Sequence, residues 1–354
     1  MSDACAAAGP QDREAISIVP FNGTAAAWDG VVASLPESTF CHLAGWREIM
    51  TDVLGHDTAF AVARDREGDC QGVLPLVRVR SPLLGDYLVS MPFLNAGGPI
   101  GSQAAVAALL KNAAALARRL GVDLLELRTR VLVPSSLRVT QRKITVLLQL
   151  PPSAEELWAA FPATRRRQIR HAMKEGVEAQ FGAAQVDAFY EVFARNMRDL
   201  GTPVLPRAFF ERIAALFPNS VVFGAVYHGE QPLAAGCGFV WRDEFELTWV
   251  SALRSHRRLA ANMLLYSSFM QHMISRGVRV FDFGRCTPGG GTHEFKRQWG
   301  GVDVPLPWLQ WSPRQLTAPP TLDRPVFRVA SAVWRRLPLA VANRVGPVIA
   351  RQLP

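Results

Sequence analysis

The chain has 354 residues, 49% of them hydrophobic, and a formal net charge of +9, values that suit a folded protein with a sizeable core and two domains of roughly 150 residues. Five scattered cysteines (Cys5, Cys41, Cys70, Cys237, Cys286) form no C-x-x-C pair, and their odd number argues against a disulfide framework. No apolar run reaches the roughly 18 residues that a membrane span needs, and MSDACAAAGPQDREA carries no basic n-region ahead of an apolar core, so a reducing cytoplasm is the expected location.

In chain order, the first clear signal is the run Ala59-Phe60-Ala61-Val62-Ala63 with a turn at Glu67-Gly68, a hairpin that leads into further strand-like sequence. Ala104 to Leu120 has the period of an amphipathic helix, with Gly121 at its C-cap and GVDLLEL following as a strand. Pro151-Pro152 is the clearest boundary. The next residues, Ser153-Ala154-Glu155-Glu156, are a capping-box signature that starts a new helix. Thr164 to Lys174 is a basic helix with Thr164 as the expected N-cap and Gly176 as its stop. Its arginines suit a polyanion or plain solvent, and its aromatic content is too low for stacking on single strands.

A second hairpin follows at Val221-Val222-Phe223-Gly224-Ala225-Val226, turning at His228-Gly229-Glu230. Leu259 to Arg276 then reads as a helix with Met263, Tyr266, Met270 and Met273 on one face, and Gly277 stands at its C-cap. The two halves repeat one order of elements. A constant offset of 156 pairs Val122 with Val278 and Glu126 with Asp282, and a mixed α/β sheet repeated in tandem explains this self-similarity.

Val278 to Gly301 is the densest stretch for chemistry. Val278 to Gly284 reads as a short interior strand whose Asp282 must find a partner. Gly289, Gly290 and Gly291 let the backbone approach a ligand closely, and His293, Glu294, Lys296 and Arg297 bring titratable groups beside them. The remainder of the chain, from Ser312, holds seven arginines against one acid, Asp323, a net of +6. Val326, Val329, Ala330, Val333, Trp334 and Leu337 recur there at helical spacing, which describes either a terminal helix docked on its own domain or an interfacial anchor on anionic lipid. The seven histidines show no ligand spacing, and no metal site is expected. Neither G-x-G-x-x-G after a strand nor G-x-S-x-G occurs, which argues against a dinucleotide site and a nucleophile elbow.

Taken together, Arg254 to Tyr266 (RSHRRLAANMLLY), Phe281-Asp282-Phe283-Gly284-Arg285 and Glu294-Phe295-Lys296 resemble the FemAB-type tandem acyltransferases. With LVSMPFLNAGGP at Leu88 to Pro99, the similarity narrows to the FemAB-like proteins associated with PEP-CTERM/exosortase gene clusters and covers roughly residues 15 to 312. The resemblance implies an α/β fold of two tandem GNAT-like (acyl-CoA N-acyltransferase-like) domains with mixed central sheets. Residues 15–150 would form a degenerate or acceptor-binding copy, 151–312 the catalytic copy, and 313–354 a basic amphipathic helical tail.

The implied activity is N-acyl transfer from acyl-CoA or aminoacyl-tRNA, with no tightly bound cofactor, to an amine of a cell-envelope, peptidoglycan-type or exopolysaccharide precursor. In that reading Lys296 holds a phosphate or the developing oxyanion, Asp282 receives a proton from the attacking amine, and His293 and Glu294 are alternative bases. Arg254, Arg257, Arg258, Asn262 and Tyr266 would meet the donor. Arg285 would clamp a carboxylate or phosphate, or pair with Asp282 or Glu294. Asn95, Gly97 and Gly98 would line an acceptor channel. Arg254 to Asn262 carries alanines where acetyl-CoA-dependent GNAT turns carry glycines, which makes close backbone approach to a pyrophosphate harder. The competing class is a non-catalytic, membrane-surface scaffold that holds a polysaccharide intermediate in the same cleft.

Overall fold

The computed structural model describes residues 16–82, 84–314 and 325–353; Cys5, Asp323, Arg324 and the side chains of Val326 and Arg328 lie outside the described set. The first elements are β1 (Ser17–Pro20), α1 (Ala25–Ser34), α2 (Gly45–Glu48), β2 (Asp57–Arg64), β3 (Cys70–Ser81), β4 (Gly85–Val89), β5 (Ile100–Gly101), α3 (Gln103–Leu120) and β6 (Leu124–Leu127). Next come β7 (Arg138–Gln149), α4 (Ala154–Ala160), α5 (Ala163–Lys174), β8 (Val177–Phe181), α6 (Val186–Leu200), α7 (Arg207–Leu216), β9 (Val221–His228), β10 (Gln231–Trp241) and β11 (Glu244–Ala252). The chain continues through α8 (Ala261–Ser275), β12 (Val280–Asp282), α9 (Gly291–Arg297), β13 (Val302–Trp311), α10 (Pro325–Trp334) and α11 (Leu339–Ala350).

Two compact units result. One holds the described residues through Thr51, Gly55–Thr140 and 308–314; the other holds Asp52–Leu54, Gln141–Pro307 and the helical tail. In the first unit the strands run β1-β2-β3-β4-β6-β13, with β5 against β3. The hairpin β2–β3 closes at Gly68, whose φ of 91° a side chain would resist. Helix α3 starts at Ser102, whose hydroxyl accepts from the Ala105 N–H, and stops at Gly121 in the left-handed conformation. Its apolar face, with Leu109 and Ala113, packs on Leu74, Leu88 and Leu125.

The second unit repeats the plan with strands β7-β12-β11-β10-β9-β8. The hairpin β9–β10 turns at Gly229, and Tyr266, Phe269, Met270 and Met273 of α8 join Phe245 and Phe281 in its core. The offset of 156 places Glu126 and Asp282 at one structural position. Each lies in the last two residues of a strand paired in parallel with the strand after the hairpin, Val89 opposite Glu126 and Glu246 opposite Asp282.

Two expectations change. Thr164 is not the N-cap of the basic helix; Pro162 occupies that position and gives no side-chain cap, and Thr164 lies in the first turn because Pro162 already ends the extended segment. The interior strand over Val278 to Gly284 shortens to Val280–Asp282, since Gly284 adopts a left-handed φ of 71° and turns the chain.

The tail helices dock on the C-terminal end of α6. Arg335 donates to the Leu200 carbonyl at 3.4 Å, where the helix dipole favours a cation, and Arg198 Nη1 donates to the Leu337 carbonyl at 3.3 Å. Gly346 packs so closely on Val204 that a Cβ there would come within 2.9 Å of its Cγ1. Among the described residues no helix is long and apolar enough to cross a membrane.

Candidate functional site

The second unit has a partly open cavity of about 290 Å³ at the N-terminal end of α8. Strand β11 ends at Ala252, a short 3₁₀ turn runs over Arg254–Leu259, and Ala260 then takes φ 53°, ψ 27° to start the helix. That left-handed conformation costs an L-residue about 1–2 kcal/mol, and strain of this kind gathers at ligand sites. So the alanine-containing turn keeps a backbone shape that glycine would adopt freely. As in any helix, the first amides of α8 find no carbonyl within it, and the N-cap residue, Ala260, gives them no side-chain cap. Ala261 and Asn262 border the cavity, with Arg254 and Arg257 from the turn, Gln168 from α5 and Phe295 from α9. Helix-end amides and two guanidinium groups together favour an anion.

Helix α5 braces this end of the unit. His171 Nε2 donates to the Arg258 carbonyl at 3.1 Å, and Arg165 donates to Gln168 Oε1 at 2.5 Å and to Gln298 of α9. Arg166 donates to the Ala159 carbonyl at 2.9 Å, and the Arg170 guanidinium lies 5.2 Å from the Trp158 ring centre. Three arginines of the basic helix are therefore engaged inside the unit.

Behind the Phe295 wall stands an aromatic cluster. The Tyr266 ring lies 5.0 Å from Phe295, 5.8 Å from Phe283 and 5.9 Å from Trp299. Burial, followed by the nearby Cys286, pushes the Tyr266 hydroxyl well up from the ordinary tyrosine range. Tyr266 thus supports the wall and does not line the cavity.

Asp282 and Lys296 share one buried neighbourhood, 2% and 4% exposed. Asp282 accepts from the Gly284 N–H at 2.7 Å and from the Thr145 hydroxyl. Lys296 Nζ donates to the carbonyls of Gly284 at 2.5 Å and Arg285 at 3.0 Å. Burial lowers the affinity of Lys296 for its proton, while Cys286, Asp282 and Glu246 pull it back up. The carboxylate and the ammonium thus grip the same turn from both sides. Glu246, 6% exposed and opposite Asp282 in the parallel pair, is a second buried acid here. Sequence reading passed over it, although an acid between Phe245 and Leu247 in a strand was the available sign.

His293 has both ring nitrogens occupied: Nδ1 accepts from the Gly289 N–H at 3.0 Å, and Nε2 meets the Asp303 carboxylate at 2.9 Å. Glu294 is exposed and Arg285 half-buried. Of the candidates in this unit, Arg254, Arg257 and Asn262 border the cavity, whereas Arg258, Tyr266, Asp282, Arg285, His293, Glu294 and Lys296 are not among its lining residues.

Asn95, Gly97 and Gly98 sit in the first unit, in a buried loop. The Gly97 and Gly98 amides donate to the Arg128 carbonyl at 3.1 and 2.9 Å, and His42 Nε2 donates to the Gly98 carbonyl at 3.0 Å. Arg128 pairs with Glu126 at 2.9 Å and donates to the Met91 and Leu94 carbonyls. A Cβ on Gly98 would lie 2.6 Å from Thr129 Cγ2, so these glycines serve close packing of the loop on its own unit.

Residues 163–297 match the family described as acetyltransferase (GNAT) domain. No curated protein matches the chain. Among solved structures, FemX is similar at 14% identity and a TM-score of 0.64, covering 88% of this chain and all (100%) of that one. A tandem GNAT protein from the clavulanic acid biosynthesis pathway is similar at 12% identity and a TM-score of 0.51, covering 84% of this chain and 98% of that one. The C-terminal domain of a putative lysylphosphatidylglycerol synthetase from Agrobacterium fabrum reaches 13% identity and a TM-score of 0.50, with 73% and 85% covered. At these identities the likeness is one of fold. The chain thus has a tandem GNAT-like α/β fold, and residues 163–297 of its second half are similar to the acetyltransferase (GNAT) domain family.

Proposed function

We propose that the second unit is an N-acyltransferase that takes its acyl or aminoacyl group from acyl-CoA or an aminoacyl-tRNA and passes it to an amine of a cell-envelope precursor. An exopolysaccharide precursor is the acceptor that the exosortase-associated resemblance implies. One observation carries the reading: the α8 N-terminus is uncapped at a cavity bordered by Arg254 and Arg257, while the equivalent end of α3 in the first unit is closed by its own Ser102. This difference between the two helix ends supports reading the first unit as the non-catalytic partner.

In this mechanism Arg254, Arg257, Asn262 and the first α8 amides hold the donor phosphates, and Phe295 bounds the space for the rest of the donor. The acceptor amine attacks the activated carbonyl, the new C–N bond forms, and the C–S or C–O bond to the carrier breaks. The proton of the attacking amine passes to solvent or to the carrier, because Asp282, His293 and Lys296 are turned into hydrogen bonds within the chain and none of them lines the cavity. Asp282 and Lys296 then act as positioning residues that hold the Gly284–Cys286 turn, and orientation supplies much of the rate.

Binding of coenzyme A and of aminoacyl-tRNA to the full chain tests the assignment, with Arg254→Ala, Arg257→Ala and Asn262→Ala alongside. One donor should bind, and loss of a charge-assisted contact should weaken it about 10- to 100-fold. Equal affinity in all variants, or no binding of either donor, would refute it. Binding without transfer to any amine would instead favour the scaffold.

A further inference from the structure

Helix α11 presents two distinct faces. Ala342, Gly346 and Ala350, spaced i, i+4, i+8, are buried against the unit. On the adjoining face Val341, Val345, Val348 and Ile349 form a stripe at i, i+4, i+7, i+8, and they are 42%, 41%, 49% and 37% exposed. Arg344 and Arg351 are exposed along one edge of that stripe. Val329 and Val333 of α10 are exposed as well, at 66% and 57%. The docking needs of the tail are met by its small residues, so the apolar stripe has no work in holding the tail to its own unit.

We propose that this stripe lies in the headgroup layer of an anionic bilayer. Three observations select lipid over other occupants. Residues 325–354 contain five arginines (Arg328, Arg335, Arg336, Arg344, Arg351) and no acid, a charge that complements anionic headgroups. The arginines beside the stripe are placed to extend their stems over it and reach phosphates, as interfacial helices do. Finally, the stripe is centred about 115° around the helix from the buried face at 3.6 residues per turn, so docking on the unit leaves its apolar side chains exposed. The proposal concerns location and is independent of acyl transfer, since vesicle binding reports nothing about turnover.

The test is co-sedimentation of the full chain with vesicles of phosphatidylcholine alone and of phosphatidylcholine with phosphatidylglycerol. Binding is expected only to the anionic vesicles and should weaken with salt. Arg344→Gln with Arg351→Gln should lower the partition coefficient about 30-fold, at roughly a fivefold contribution for each arginine. Val345→Glu should abolish it with unchanged thermal unfolding, and Val348→Gln is the milder second variant should Val345→Glu fold poorly. Absence of binding to anionic vesicles, binding unaffected by these variants, or a stable dimer in solution that Val345→Glu breaks would each overturn the proposal.

Discussion

Replacing Lys296 with methionine keeps the length of the side chain and removes its charge. In the native protein the ammonium satisfies the Gly284 and Arg285 carbonyls from a position only 4% exposed. Gly284 is buried and Arg285 half-buried, so one acceptor loses its partner fully and the other in part. A buried acceptor left unpaired costs about 1–3 kcal/mol, and the nearby Asp282 and Glu246 lose a compensating charge. Relief from burying the ammonium offsets part of this, for a net loss of about 2–3 kcal/mol.

Urea unfolding measures that loss, and amide hydrogen exchange locates it, with faster exchange expected over 284–297. Turnover should fall while the donor KM stays close to native, because Arg254 and Arg257 border the cavity and Lys296 does not. The pH dependence gives an independent check. Burial lowers the proton affinity of Lys296 in the folded chain, so the unfolded chain holds that proton to higher pH, and stability from this group rises as pH climbs from the lowered value to the ordinary lysine range. The methionine variant should lack that rise. A variant as stable as the native chain, with native exchange over 284–297, would refute the clamp.

Three further outcomes are expected. Burial drops His42 from 6.5 to about 4, so its contribution is complete above pH 6.5 and disappears as the pH falls to about 4, a loss of about 3 kcal/mol; His42→Gln should flatten that part of a urea-midpoint profile, and an unchanged slope would count against the neutral buried imidazole. Ala260→Gly should stabilise the second unit by about 1 kcal/mol by relieving the left-handed alanine, as read by thermal unfolding, whereas Ala260→Val should do the reverse. Ser102→Ala removes the α3 cap and should cost about 1 kcal/mol without altering donor affinity; a change in donor binding would show that the first unit also takes part.

Much of the fold was legible because its signals are local. Gly68 and Gly229 mark hairpin turns, Ser153 caps α4, and Gly121 stops α3, each within a few residues of the bond it controls. The duplicated plan was visible because the offset that pairs Glu126 with Asp282 survives in the chain itself, and the structure places both in strands paired in parallel with the strand after a hairpin. Thr164 misled because threonine is a good cap anywhere, and only the path of the chain at Pro162 shows which residue stands first.

The site was less legible because its contacts are distant in sequence. Thr145 reaches Asp282 across 137 residues, and His42 reaches Gly98 across 56. Local composition put Asp282, His293 and Lys296 in one stretch; folding turned their polar atoms onto the Gly284–Arg285 turn, Gly289 and Asp303, and left the open helix end to Arg254, Arg257 and Asn262. Amino-acid order alone determined the repeated elements, their turns and the basic tail, since propensity and periodicity act over neighbouring residues. Which charges are spent inside the protein and which face a ligand was decided by tertiary structure, because burial and hydrogen bonding join residues that the chain keeps far apart.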